Sequence, residues 1–302
     1  MNTRPRDLAI LAVMPLFFAS NLIFGRLAVE TVPPWTLAAL RWTFACLILA
    51  PFAWADARAH ATTLIAQWKL IALLGFLGMW ICGAIVYVAL QYTTATHGTL
   101  IYTASPVIVV LLGALLARRA LPLGQAIGVV LGIAGVFTIV LEGQPLAIFH
   151  HHFNAGDLWF VLAAISWAAY SLILKNAALQ TVPTFALFFV IAFAGAVLLI
   201  PCMIVEWWLI GGFPSTLRAW GSIAGIVIFA SLLSYSTYQY GVKRAGPALT
   251  SIFLYLLPVY GIALAVIFLG EAFKPYHAVG LVLVLGGIVL ATAPSFPKWR
   301  KA

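Results

Sequence analysis

The sequence predicts an all-α membrane protein in which ten transmembrane helices form two five-helix repeats of opposite orientation. Three observations carry that expectation: an apolar composition, ten stretches of bilayer length, and a self-similarity near 150 residues. Of 302 residues, 64% are hydrophobic and 8% charged, and the mean hydropathy is +1.10. Soluble chains carry roughly 25% charged residues, so 16 basic and 7 acidic side chains cannot coat a soluble surface of this size. The bilayer is the main solvent. The net charge of +9 is spread singly or in pairs between apolar runs, which excludes a nucleic-acid-binding stripe. Cys46, Cys82 and Cys202 are an odd number, far apart and each in an apolar run. They read as small packing residues, not as a disulfide framework or a zinc site.

About 20 apolar residues cross the hydrocarbon core. Such stretches lie at 8–29, 35–54, 69–92, 98–117, 123–141, 157–178, 184–205, 219–241, 247–269 and 276–293. The first follows Arg4 and Arg6 but is too long for the apolar region of a signal peptide, so it is read as retained. It carries Phe17, Ser20, Asn21 and Phe24 as one helical stripe. The second holds Arg41, the one basic residue clearly within a span, read as snorkelling outward toward Glu30, with recognition of a carboxylate as the alternative. The third places Met79, Gly83, Tyr87 and Gln91 at i+4 on one face. The fourth opens at His97, read as a polar helix start with gating or proton exchange as the alternative, and contributes Tyr102, Ser105 and Pro106. The fifth is marked by Gly124, Gly128, Gly132 and Gly135. The connection 142–156 is the longest, and its His150-His151-His152 run lacks a fixed metal geometry, so it reads as a solvated loop. Asn154 and Asp157 open the sixth span, which carries Trp167, Tyr170 and Leu174 as a stripe and Lys175 snorkelling at its end. The eighth repeats the third with Ser231, Tyr235 and Gln239. The ninth contributes Tyr255 and Pro258, and the tenth carries Gly280, Gly286 and Gly287. Glycines at these spacings let backbones approach, so the fifth and tenth spans read as packing helices. Pro106 and Pro258 are expected bend points, either hinges that offer a carbonyl to the solute or fixed kinks.

At a shift of 150, Asp7-Leu8 falls on Asp157-Leu158 and Thr31-Val32-Pro33 on Thr181-Val182-Pro183. At 148, Tyr87, Gln91 and Tyr92 fall on Tyr235, Gln239 and Tyr240; at 152, Pro106, Gly128 and Gly135 fall on Pro258, Gly280 and Gly287. The expected units are residues 1–146 and 147–302, and an odd number of crossings inverts the second. Lys and Arg divide twelve to three toward the amino-terminal side, six to one and six to two within the halves. Both termini are therefore expected in the cytoplasm. Inverted repeats are characteristic of secondary transporters, whose solute site lies near the midplane between repeats.

Leu40-Arg41-Trp42, Pro106 and Pro258, and Leu269-Gly270-Glu271 followed by Gly280 resemble the ten-helix EamA-type branch of the drug/metabolite transporter superfamily, and within it the bacterial aromatic amino-acid exporters. The resemblance covers nearly the whole chain. It implies an inner-membrane exporter of amino acids and a solute path along the first, third, fourth, sixth, eighth and ninth helices. Arg118-Arg119 stands where the family often has an acidic residue at the end of the fourth span.

Polar and aromatic residues recurring on these faces read as a lined solute path. The candidates are Phe17, Asn21, Phe24, Met79, Gly83, Tyr87, Gln91, Tyr102, Ser105, Trp167, Tyr170, Ser231, Tyr235, Gln239 and Tyr255, with Pro106 and Pro258 as hinges. Asp7, Glu30, Asp56, Glu142, Asp157, Glu206 and Glu271 are all expected in loops or at span ends. That disfavours a pump built on a mid-membrane carboxylate and suits a neutral or zwitterionic solute, with no strictly required coupling ion. No phosphate-binding loop, nucleophile elbow or His-Glu-x-x-His occurs. An intramembrane transferase would need carboxylate clusters or a buried His/Asp pair, and neither is present. Uptake or exchange of another metabolite, proton-coupled or not, shares every feature above. No cofactor is expected; the partners expected are a small-molecule solute and membrane lipid, with the chain acting as a monomer.

The charge asymmetry makes a direct prediction. With Arg58→Cys or His151→Cys introduced singly into a cysteine-free background, an impermeant thiol reagent applied to intact cells is expected to label position 151 and spare 58. The reverse pattern contradicts the orientation, and equal labelling indicates mixed insertion.

Overall fold

The computed structural model describes residues 4–29, 31–89, 91–93, 98, 101–102, 104–118, 120–144, 146, 154–269 and 272–292. Among them every regular element is helical, as a chain in lipid requires, since only helices or closed barrels satisfy the backbone within the bilayer. The first helix, α1, spans Pro5–Val29, and α2 spans Pro34–Ala59. A short helix at Ala61–Ala66 leads into α3, Trp68–Ala89. After α4, Ser105–Leu116, and α5, Leu123–Val140, the chain continues through α6, Ala155–Ile173, and α7, Thr184–Ile210. Next comes α8, Leu217–Ala245. Helix α9 runs from Pro247–Ile252 through a 3-10 turn at Phe253–Leu256 into Leu257–Leu269, and α10 spans Pro275–Thr292.

Seven of these, α2, α3, α5, α6, α7, α8 and the first eighteen residues of α9, are long and apolar enough to cross a membrane, and two shorter apolar helices are α4 and α10. The chain is a multi-pass membrane protein. Helix starts are chemically marked. Asn154 and Asp157 form a reciprocal capping box at α6, and Thr216 accepts the Ala219 N–H at α8. Pro34 and Pro247 occupy first-turn positions, where a missing N–H costs nothing. The α8–α9 corner needs Gly246, whose φ of 87° lies in the left-handed region.

Two helix pairs pack lengthwise, α2 on α7 and α5 on α10, while α1 lies against α8 and α9, and α6 against α3 and α4. The α5–α10 contact is backbone on backbone. A Cβ at Gly128 would stand 2.4 Å from the Gly287 carbonyl oxygen, and one at Gly135 would stand 2.7 Å from that of Gly280. Gly132 instead gives room to the Tyr255 ring. Gly286 meets nothing within 4 Å, so it is not part of the seam.

Two features were not visible in the sequence. Helix α3 is π-helical over Phe76–Ile85 and α8 over Ile226–Leu233. The two begin at related positions, since 76 plus 150 is 226. The expected prolines also sit differently. Pro106 lies in the first turn of α4 rather than within a helix. Pro258 is the second residue after the 3-10 turn, and the Leu254 carbonyl its ring leaves unpaired accepts the Leu257 N–H instead. That carbonyl is therefore not held open for a solute, and the ninth-helix proline here shapes a local tightening.

The seam separates two glycine substitutions. Gly128→Ala forces a methyl into backbone and is expected to cost about 1–3 kcal/mol, read as a lower unfolding midpoint in detergent, whereas Gly286→Ala leaves the midpoint unchanged or slightly raised. Equal effects would contradict the seam.

Candidate functional site

Trp167 of α6 stands at the centre of an aromatic cluster drawn from both halves of the chain. Its ring lies 4.7 Å from Tyr238, 5.4 Å from Tyr170, 5.5 Å from Tyr235, 5.7 Å from Phe18 and 6.5 Å from Tyr102. Tyr235 continues the cluster to Trp42 at 4.8 Å and to Phe188 at 5.9 Å. Edge-on and offset pairs of this kind contribute about 0.5–1.5 kcal/mol each beyond area burial. Gly78 of α3 makes room for Tyr170, since a Cβ there would stand 2.8 Å from that ring. Trp167, Tyr170, Tyr235, Tyr238 and Gln239 are each at most 3% exposed. In this conformation the cluster is a closed, packed centre.

Polar groups thread the same centre. Gln239 Nε2 donates to the Tyr170 hydroxyl at 2.9 Å, and the Tyr238 hydroxyl joins Ser171 of α6 to Ser251 of α9. Among the described residues, three atoms on this cluster, Trp42 Nε1, Trp167 Nε1 and Gln239 Oε1, are buried without a hydrogen-bond partner, as is the Tyr255 hydroxyl. Buried polar groups are normally paired, so these four mark the bundle as built around more than packing.

Arg41 adjoins the cluster and contradicts its expected outward path. It is 5% exposed. Its Nε donates to Ser231 Oγ at 2.6 Å, Nη1 to the Tyr87 hydroxyl at 3.0 Å and Nη2 to the Ala230 carbonyl at 2.6 Å. The guanidinium also lies 4.8 Å from the Trp42 ring centre. Tyr87 passes the chain on, donating to Asn21 Oδ1 at 3.0 Å. Outward snorkelling fails because these acceptors offer more than the apolar path along α2.

The expected faces are brought together in part. Trp167, Tyr170, Ser231, Tyr235 and Gln239 converge as described. Asn21 and Tyr87 meet through the Arg41 chain, and Tyr102 and the buried Ser105 lie at the α4 side. Phe24 stacks on Phe229 at 5.9 Å and covers Gly225. Four residues are placed elsewhere. Phe18, not Phe17, reaches Trp167; the Phe17 carbonyl accepts the Ser20 hydroxyl. Met79 packs into Gly195 of α7, and Gly83 against the Trp42 indole. The wide π turns carry this face toward α2 and α7. Gln91 is exposed in a turn, because α3 ends at Ala89. Lys175 is exposed just past α6. His97, His150, His151, His152, Glu30 and Glu271 lie outside the described residues.

Three carboxylates expected at span ends are buried and tie helices together. Asp7 accepts the Tyr240 hydroxyl of α8 at 2.7 Å and the Arg4 N–H at 3.1 Å. The tyrosine hydroxyl, then the backbone N–H, holds its carboxyl below the ordinary value, outweighing burial. At the position 150 residues on, Asp157 accepts the Thr93 hydroxyl at 2.7 Å. Glu206 is not in a loop but inside α7, 7% exposed. It accepts the N–H groups of Trp35 and Thr36 at 3.1 and 2.6 Å and the Thr36 hydroxyl at 2.8 Å. An α7 carboxylate thus caps the positive end of α2.

Helices from two similar halves, packed about a shared buried polar and aromatic centre, define a membrane solute carrier. The profile of the EamA-like transporter family matches residues 7–141 and again 154–293, and the chain belongs to that family. An uncharacterized transporter of Archaeoglobus fulgidus is 28% identical over 94% of this chain and 96% of its own. The uncharacterized inner membrane transporter YedA of Escherichia coli is 25% identical over 93% and 91%. A probable terminal-alkyne amino-acid exporter of Streptantibioticus cattleyicolor is 25% identical over 77% and 76%. One crystal structure, 22% identical, superimposes with a TM-score of 0.78 over 97% of this chain and 98% of its own, which shows the fold.

The cap between α7 and α2 has a measurable worth. Glu206→Gln keeps the shape but removes the charge from two N–H contacts, and is expected to lower stability by about 1 kcal/mol in a detergent unfolding series. An unchanged midpoint would mean that the cap carries no weight.

Proposed function

We propose that the protein is an inner-membrane secondary transporter, not an enzyme, exporting amino acids, aromatic ones included, and similar small zwitterionic metabolites by alternating access. In this reading ten spans form two inverted five-helix units, residues 1–146 and 147–302, with both termini cytoplasmic, and the chain works as a monomer in lipid. The observation that carries it is the Trp167-centred cluster, to which α1, α2 and Tyr102, just before α4, of one unit and α6, α7 and α8 of the other each bring an aromatic ring. Rocking one unit on the other parts such a cluster toward one side or the other without unfolding either. An aromatic side chain then replaces ring contacts the protein makes with itself, which keeps the closed and loaded states close in energy. The amino-acid exporter among the relatives supports the substrate class.

No required coupling ion belongs to this reading, because the buried carboxylates Asp7, Asp157 and Glu206 tie helix ends instead of sitting among the rings. Proteoliposomes holding unlabelled tryptophan should take up labelled tryptophan with no pH difference imposed, and an imposed gradient should change the rate little. Accumulation driven by a pH gradient alone would overturn the uncoupled reading. Because Trp167 is 1% exposed and touches five rings, Trp167→Ala is expected to cost about 3–5 kcal/mol. Trp167→Phe is the sharper variant. It keeps a ring and should fall about tenfold or more in tryptophan flux while staying folded; wild-type flux would remove Trp167 from the path.

A further inference from the structure

Among the described residues, the buried Arg41 guanidinium is bonded only to neutral groups. Its three acceptors are a serine hydroxyl, a tyrosine hydroxyl and a backbone carbonyl, and no carboxylate among the described residues lies at ion-pair distance. A buried charge without a counter-charge is strongly destabilising, so the site has a reason to exist beyond holding helices.

Fold symmetry supplies a second argument. The position 150 residues on from Arg41 is Ile191, fully buried in α7, the helix that pairs with α2. The same architecture is therefore built in the other half with an apolar residue. A cation is not needed to pack a helix at this place.

The third argument is donor arithmetic. Arginine has five N–H donors; among the described residues Nε, one on Nη1 and one on Nη2 find acceptors, leaving one on each terminal nitrogen. Two adjacent nitrogens match the two oxygens of a carboxylate. Beside them, the indole Nε1 of Trp42 is a further buried donor with no acceptor among the described residues. The contacts also straddle the halves, with Arg41 and Tyr87 from one and Ser231 and Ala230 from the other, where solute sites of two-repeat carriers lie.

We infer that Arg41, assisted by Trp42 Nε1, is the anchor for the carboxylate of the transported solute. Gln239 lies eight residues beyond Ser231 on α8, about 12 Å along the helix, with Tyr235 between them. A solute anchored at Arg41 therefore extends its apolar body over Tyr235 and Trp167. Its far end approaches Gln239 Oε1, which has no partner among the described residues and is an acceptor suited to the hydroxyl or indole N–H of an aromatic side chain. The inference rests on the transport reading above but names the carboxylate, rather than the amine, as the group recognised.

The test uses the full-length protein in detergent and two matched pairs of probes, phenylalanine with phenylalaninamide and 3-phenylpropanoate with 3-phenylpropanamide. Each is titrated while the thermal unfolding midpoint is followed. The carboxylates should raise the midpoint at concentrations about tenfold or more below their amides, Arg41→Gln should abolish that preference, and Arg41→Lys should keep part of it. Stabilisation by 3-phenylpropanoate but not phenylalanine supports the anchor and rejects the amino-acid reading. Carboxylates no better than amides on the wild-type protein, or a preference that survives Arg41→Gln, overturns the anchor. If Arg41→Gln does not fold, Arg41→Lys takes its place, and an undiminished carboxylate preference there overturns the proposal equally.

Discussion

Two hydrogen bonds, one reaching from each half of the chain into the other, organise the centre of this bundle. Tyr235 of α8 donates to the Gly78 carbonyl within the π segment of α3, and Arg41 of α2 donates to the Ala230 carbonyl within the π segment of α8. A π turn is wider than an α turn and departs from the regular i→i−4 ladder, which is why such turns recur at functional sites. Here each is met by a side chain of the opposite half. The Ala230 carbonyl also accepts the Ser234 hydroxyl of its own helix, so at this π segment a bond within α8 and a bond between the halves meet on one oxygen.

From that constraint the rest of the arrangement follows. Tyr235, held by Gly78, places its ring between Trp42, Trp167 and Phe188. Gly78 must lack a side chain because Tyr170 lies against it, and Tyr170 in turn orients Gln239. Away from the centre the contacts change character: α5 and α10 meet through bare glycine backbone, and α2 meets α7 through apolar packing and the Glu206 cap. A stiff periphery around a polar, bond-sharing centre concentrates any rearrangement where the two halves exchange hydrogen bonds.

A multi-pass helical bundle was legible because twenty-residue apolar runs have one physical reading in a chain this poor in charge, and seven of its described helices are long and apolar enough to cross a membrane. Trp167, Tyr170, Tyr235 and Gln239 were legible because polar and aromatic residues at helical spacing stand out against aliphatic lipid-facing positions. Phe17 and Phe18 are adjacent, and with Pro15 inside α1 only the packed helix decides which ring turns inward. Tyr238 was missed because it lies three residues on from Tyr235 and off the i+4 row that matched α3. Gln91 failed because a helix end at Ala89 leaves no mark in hydropathy. Arg41 failed for a deeper reason: Ser231 and Ala230 are 190 and 189 residues away, and a lone cation in an apolar span shows no partner in the linear sequence.

The central claim is that solute passes between the two halves at the Trp167-centred cluster. It is tested most directly by determining the structure in lipid nanodiscs with saturating tryptophan. The account predicts an indole seated among Trp167, Tyr235 and Phe18, with these rings parted from their closed contacts. Tryptophan density found only on the lipid-facing surface, with the central rings still closed on one another, would contradict it.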